Sequence, residues 1–159
     1  INWYTYCENN PVNFVDPSGY AIEMANNYED NMYALDNLSE LTSDTLDIRL
    51  IKGYDYNRYE VYIKEHGDGS KSVGTNMIRR LIENKYVCLI EVVDEGEGSG
   101  CEPIILKDAQ TLGVGSGSII TFNKYFVSST YVALGNKSQL ENIPKYIELG
   151  HELIHALNG

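Results

Sequence analysis

A strand pair, one helix, further strands and a terminal helix, in that order, predict an α+β domain rather than a repeating βαβ chain. The strand signal is alternation: LDIRLIK (46–52) and RYEVYIKE (58–65) place apolar side chains at every second position, with β-branched or aromatic residues among them. The helix signal is spacing, since Met77, Ile78, Leu81 and Ile82 fall on one face and a denser apolar pattern begins near Pro144. A length of 159 residues suits one domain with a real core.

Along the chain, residues 1–20 (INWYTYCENNPVNFVDPSGY) carry two acidic residues and no basic one, and Asn, Pro and Gly punctuate them as turns. They contain Tyr4, Tyr6, Asn9, Asn10 and Pro11, then Asp16, Pro17 and Gly19. In these residues the stretch resembles the end of the core domain of Rhs/YD-repeat proteins, with its Y-x-Y-x-x-N-N-P followed by D-P-x-G. The resemblance implies a repeat shell that encloses a variable C-terminal toxin, and a self-processing border at Pro11, Asp16, Pro17, Gly19 and Tyr20. A plain pair of turns fits the same residues, because Asn-Pro and Asp-Pro initiate turns in any protein. The start at Ile1 and the stop inside a patterned helix suggest a piece cut from a longer polypeptide.

Residues 21–45 are polar, with clustered Asn, Asp and Ser, and are expected to be a linker holding at most one short helix. The two strands follow, joined by GYDYN, and His66-Gly67-Asp68-Gly69-Ser70 is turn chemistry. Asn76 is placed to cap the helix that begins at Met77. YVCLIEVV (86–93) reads as a third strand and DEGEGSGCE (94–102) as a solvated acidic loop. GVGSGSIITFN (113–123) opens like a phosphate loop, but Ile119 to Phe122 read as a strand where a phosphate cradle needs a helix. Cys7, Cys88 and Cys101 are odd in number and show no CxxC spacing, so they read as buried or free thiols.

The terminal helix carries Tyr146, Ile147, Leu149, Leu153, Ile154 and Leu157 around most of its circumference and is expected to be buried. Within it, HELIH sets His151 and His155 four residues apart, so their imidazoles lie one above the other and can reach one ion. They would be two of the three protein ligands that a catalytic Zn2+ usually takes. Glu152, rotated by about 100° from His151, would accept the proton of a water whose pKa zinc lowers to about 7, without itself ligating the metal. Burying two histidines and two glutamates, Glu148 and Glu152, in so apolar a helix is expected to require a partner, which zinc would be. The same helix also fits an amphipathic end whose histidines bond backbone carbonyls and whose glutamates face water.

Gly115, Gly117, Phe122, Asn123, Pro144, Leu149 and the run His151 to Ala156 resemble the NleD-like effector metallopeptidases, in a stretch covering residues 46–159. That family has a G-x-G-x-x-x-x-F-N-like strand, a Pro before the active helix and an L-x-H-E-L-I-H-A signature. The resemblance implies a zincin-like fold with a mostly antiparallel sheet, peptide-bond hydrolysis in a target-cell protein, and a toxin domain of an Rhs carrier. A cognate immunity protein and secretion or delivery into a target cell belong to the same expectation. The third zinc ligand is expected beyond Gly159, because Ala156 to Gly159 include no usual ligand and His66 sits in a turn. The extended metzincin pattern wants Gly where this chain has Asn158, so that class is not assigned. On this basis the 159-residue chain alone is expected to be inactive. The strand from Ile119 to Phe122 is expected to be an edge that could pair with an extended substrate.

Twelve basic against 23 acidic residues give a net charge of −11, which disfavours nucleic acid and anionic membrane as partners and weighs against a nuclease toxin. No apolar run reaches the length of a membrane span. A non-catalytic extension of an Rhs shell is the alternative from a different functional class.

Overall fold

A computed structural model describes residues 22–53, 55–96, 98–110, 115–134 and 137–158. The Rhs-like border from Pro11 to Tyr20, and Cys7, lie outside the described residues. The elements are β1 (Ile22–Met24), α1 (Tyr28–Leu41), β2 (Thr45–Ile51), β3 (Arg58–Glu65), α2 (Ser72–Ile82) and β4 (Cys88–Val93). There follow β5 (Gly100–Pro103), α3 (Leu106–Ala109), β6 (Ser118–Asn123), β7 (Ser129–Leu134), β8 (Lys137–Asn142) and α4 (Lys145–Asn158).

Six strands form one sheet in the order β2-β3-β1-β4-β6-β5, and β7 pairs with β8 as a separate hairpin. The predicted pair at 46–52 and 58–65 is present as the antiparallel β2 and β3. The α+β class therefore holds, but the sheet is mixed where a mostly antiparallel one was expected. Its centre is parallel, through β1 with β4 and β4 with β6, and its antiparallel strands lie outside that centre.

Of the stretch expected to be a linker, residues 22–45 are part of the folded domain. Ile22 and Met24 are fully buried, and β1 lies between β3 and β4 in the middle of the sheet. The Asn-rich composition misled because those side chains hold the structure together. Asn27 accepts a hydrogen bond from the Asp30 N–H (2.9 Å), as an N-cap of α1. Asn26 donates to the Ile90 carbonyl (3.3 Å) and accepts from the Val92 N–H (3.2 Å), taking over the ladder where β1 ends. Behind these caps, Ala34, Leu35 and Leu38 bury one face of α1 in the core.

The helix predicted from Met77 is α2, and it starts earlier than expected. Its cap position is Lys71, in the left-handed region (φ 55°), so Asn76 lies inside the helix and caps nothing. The acidic stretch 94–102 is also not all loop, since its last residues form β5 at the sheet edge. Ile119 to Phe122 belong to β6, which has a neighbour on each side. That strand is not an edge.

The core is built from Ile22, Met24, Val61, Ile90, Ile120 and Phe122 on the sheet and Leu38, Ile78, Leu149 and Leu153 on the helices. On alternate positions of the strands, Glu23 pairs with Arg58 and Glu60 with Arg49, so the buried carboxylates have cationic partners. A buried clamp joins the α1–β2 turn to α2. Asp44, with its side chain fully buried, accepts hydrogen bonds from Arg79 Nε (2.7 Å) and Nη2 (2.6 Å) and from the Gly67 N–H (2.8 Å). The Arg79 hydrogen bond is the largest cause that holds the Asp44 carboxyl down at about 2. A side chain at Gly67 would put its Cβ 1.8 Å from the Ser43 carbonyl oxygen, so only glycine fits the clamp. Among the described residues no helix is long and apolar enough to cross a membrane.

Candidate metal centre

The last helix begins where the proline predicts. The Pro144 carbonyl accepts hydrogen bonds from the Ile147 N–H (3.0 Å) and the Glu148 N–H (3.2 Å), which opens α4. Leu149 and Leu153 are fully buried, and Gly150 lets α4 approach α1, since a Cβ there would stand 3.1 Å from Leu41 Cδ2. The helix is not buried all round, however. Ile147 and Ile154 are 46% and 50% exposed, and His151 and His155 are exposed as well.

The two histidines meet as the spacing predicts. His151 Nε2 and His155 Nε2 stand 3.0 Å apart, with the ring centroids at 4.7 Å and the planes at 77°. Two nitrogens that each lie about 2.0–2.1 Å from one tetrahedral zinc would be roughly 3.3 Å apart. The pair is thus within a few tenths of an ångström of that separation, using the same nitrogen of each ring, and fits as half of such a site. Among the described residues neither histidine has a backbone carbonyl as partner, where the amphipathic-end alternative expected one.

Glu152 is half-buried and faces a cleft of about 340 Å³ that His151 also borders. On its other side is β5: burial raises the Cys101 thiol pKa, a hydrogen bond with Ser118 opposes this, and the Glu152 and Glu102 charges add to the rise. Burial pushes the Cys88 thiol up further, and both cysteines are free, as read from their spacing.

Glu148 corrects the burial argument for a metal. It is buried, but the protein itself supplies its partners: Lys145 Nζ donates at 2.8 Å, Ser128 Oγ at 3.2 Å, and Ser99 Oγ donates to its other oxygen. With Glu148 satisfied and the histidines in contact with solvent, the cost of burying this helix does not require zinc. The case for a metal rests on the geometry of the pair alone.

Asn123, which the sequence marked only as part of a shared motif, ties together the segments that carry Ser99 and Phe126 of the cleft lining. Its side chain donates to the Gly96 carbonyl (3.1 Å) and accepts from the Tyr125 and Phe126 N–H groups (both 3.0 Å), and its N–H donates to Ser99 Oγ (3.1 Å). Lys145, Ser99 and Ser128 carried no sequence signal, because their partners are tens of residues away except within α4. Gly115 and Gly117 serve close packing and not phosphate. A Cβ would lie 2.6 Å from the Tyr86 ring at the first and 2.7 Å from the Val87 carbonyl oxygen at the second.

No third ligand joins the pair: among the described residues, no three His, Cys, Asp or Glu side chains are disposed to hold a metal ion. His66 lies in the loop after β3, 71% exposed and 3.8 Å from Asp44, which accords with a turn histidine. Comparisons of the chain with protein-family models, with curated proteins and with solved structures find no match.

Proposed function

We propose that this chain carries two of the ligands and the general base of a zinc metallopeptidase. His151 and His155 would hold the ion through Nε2, and Glu152 would be the base. The observation that supports this most directly is the 3.0 Å approach of the two Nε2 atoms on adjacent turns, with a carboxylate one residue on that faces a cleft.

Bound zinc supplies Lewis acidity, polarising a carbonyl and lowering the pKa of a coordinated water. With such an ion bound, Glu152 would be the residue to hold a proton taken from water and to return it to the leaving amine. The α1 contact at Gly150 and the buried Leu149 and Leu153 fix the helix, and with it the points from which the two imidazoles project. The third ligand would come from outside the described residues. An extended substrate would pair with β5, whose outer edge is open in the sheet order, rather than with β6.

In the wider reading this is the toxin domain of an Rhs-type carrier, released or delivered to act on a target-cell protein and neutralised by an immunity partner. The zincin-like identity of the fold is part of the same proposal. The test is calorimetric titration of zinc into the chain and into the His151→Ala and His155→Ala variants. Binding lost in both variants supports the site, and binding unaffected by either removes it. The competing reading, a non-catalytic extension of an Rhs shell, draws on the exposure of both histidines and the lack of a third donor among the described residues. Zinc-dependent proteolysis that Glu152→Ala abolishes would exclude it.

A further inference from the structure

The cleft beside Glu152 is held in shape before anything enters it. The Ile143 N–H donates to the Ser128 carbonyl (2.8 Å), which joins the segment ahead of α4 to the loop after β6. Asn123 and Glu148 fix the remaining walls through the hydrogen bonds described above. A cleft supported in this way loses little conformational entropy on binding.

Its lining is apolar where it is open. Phe126, Ile143 and Ile147 face the space, and Phe126 and Ile147 remain 37% and 46% exposed, so their surface leaves water only when a ligand arrives. Of its polar lining residues, Glu148 is already taken by Lys145, Ser99 and Ser128, which leaves His151 and Glu152 facing the space. At about 340 Å³ the space is at the lower end of small-ligand clefts, which run from about 300 to 1,000 Å³. It suits one bulky side chain better than a nucleotide. Glu152 lines the cleft and the chain carries a net charge of −11, so an acidic ligand is repelled and a basic one attracted.

We propose that the cleft is a specificity pocket for one bulky apolar side chain of a peptide whose flanking residues are basic. The inference rests on the peptidase reading, which makes an extended peptide the ligand, and it adds which peptides are chosen. The apolar side chain would lie against Ile147 and Phe126, and the basic flanks would lie in the field of Glu152. An acidic peptide would be excluded.

The test measures binding without turnover. Blocked pentapeptides Ac-Lys-Ala-X-Ala-Lys-amide, with X as Phe, Leu, Ala or Asp, are titrated into the chelator-treated, metal-free chain and followed by NMR. Phe and Leu should bind at least roughly tenfold tighter than Ala, and Asp weakest. Replacing both flanking lysines by glutamate should weaken binding several-fold at low salt and less at high salt. Ile147→Trp, which fills the cleft from a half-exposed position, should weaken the Phe peptide by about tenfold. Phe126→Ala, which removes a wall, should do the same if the tryptophan variant fails to fold.

Equal affinity for Phe and Ala, or affinity untouched by both variants, overturns the pocket, whatever zinc does. If instead the peptide ranking appears but zinc titration is the same with and without His151 and His155, the pocket stands and the peptidase reading fails. A preference for X = Lys over Phe in an added fifth peptide would also overturn the proposal, by showing that Glu152 rather than the apolar wall selects the ligand.

Discussion

Asp44→Asn removes the charge from the buried clamp between the α1–β2 turn and α2 while keeping the shape of the side chain. The Asp44 carboxyl is held at about 2, against an ordinary 3.8, and at 1.36 kcal/mol per pH unit the difference is worth roughly 2.4 kcal/mol at most. Arg79 keeps 34% of its side chain in solvent, so water screens the pair and the contribution should be about 1–2 kcal/mol. Because the folded state depresses this pKa, the stabilisation is present above pH 3.8 and is lost as the pH falls toward 2. Urea unfolding followed by circular dichroism, on the wild type and the variant at pH 7, 4 and 3, should show a gap of about 1–2 kcal/mol at neutral pH that has shrunk to roughly half by pH 3. A gap that stays constant from pH 7 to pH 3, or widens, would refute the clamp as the cause.

Leu153→Ala, at a fully buried position between the two histidines, should lower stability by about 2–5 kcal/mol in the same urea assay. Lys145→Met strips Glu148 of its cation and should cost about 1–3 kcal/mol, with a smaller loss in the Lys145→Arg variant. Thiol labelling at pH 8, mapped by mass spectrometry, should find Cys101 slow and Cys88 protected until urea unfolds the chain, since burial raises both pKa values and Cys88 the more. The 159-residue chain should show no zinc-dependent proteolysis on a denatured protein substrate. Cleavage that chelator abolishes and zinc restores would show that no further ligand is needed.

What the sequence made legible was periodic. The β2–β3 pair, α2, β4, β6 and α4 each repeat an apolar residue at the period of their own element, and each is present. The meeting of His151 and His155 was legible for the same reason, because residues four apart on a helix face each other. Non-local partners were not legible. β1 has only three residues, too short for a pattern, and its place in the sheet comes from the Cys88 and Tyr59 segments far along the chain. Asn26 and Asn123 carry the composition of loops but act as fixed struts, and Glu148 shows no sign in sequence that Ser99 and Ser128 will reach it. The same limit placed the open sheet edge on β6, when β5 covers it.

The central position of β1 gives the molecule a strong end and a weak one. A pull on the chain just ahead of Ile22 loads the hydrogen bonds to β3 and β4 together and along their length, so the sheet must split down its middle before it yields. A pull on the far end of α4 meets a helix held by side-chain packing on α1 and the neighbouring strands, which can peel away a turn at a time. A translocation machine that seized the chain by that end would part the two imidazoles before it broke one rung of the large sheet. Drawn from the β1 side, the pair would stay together until the sheet itself gave way.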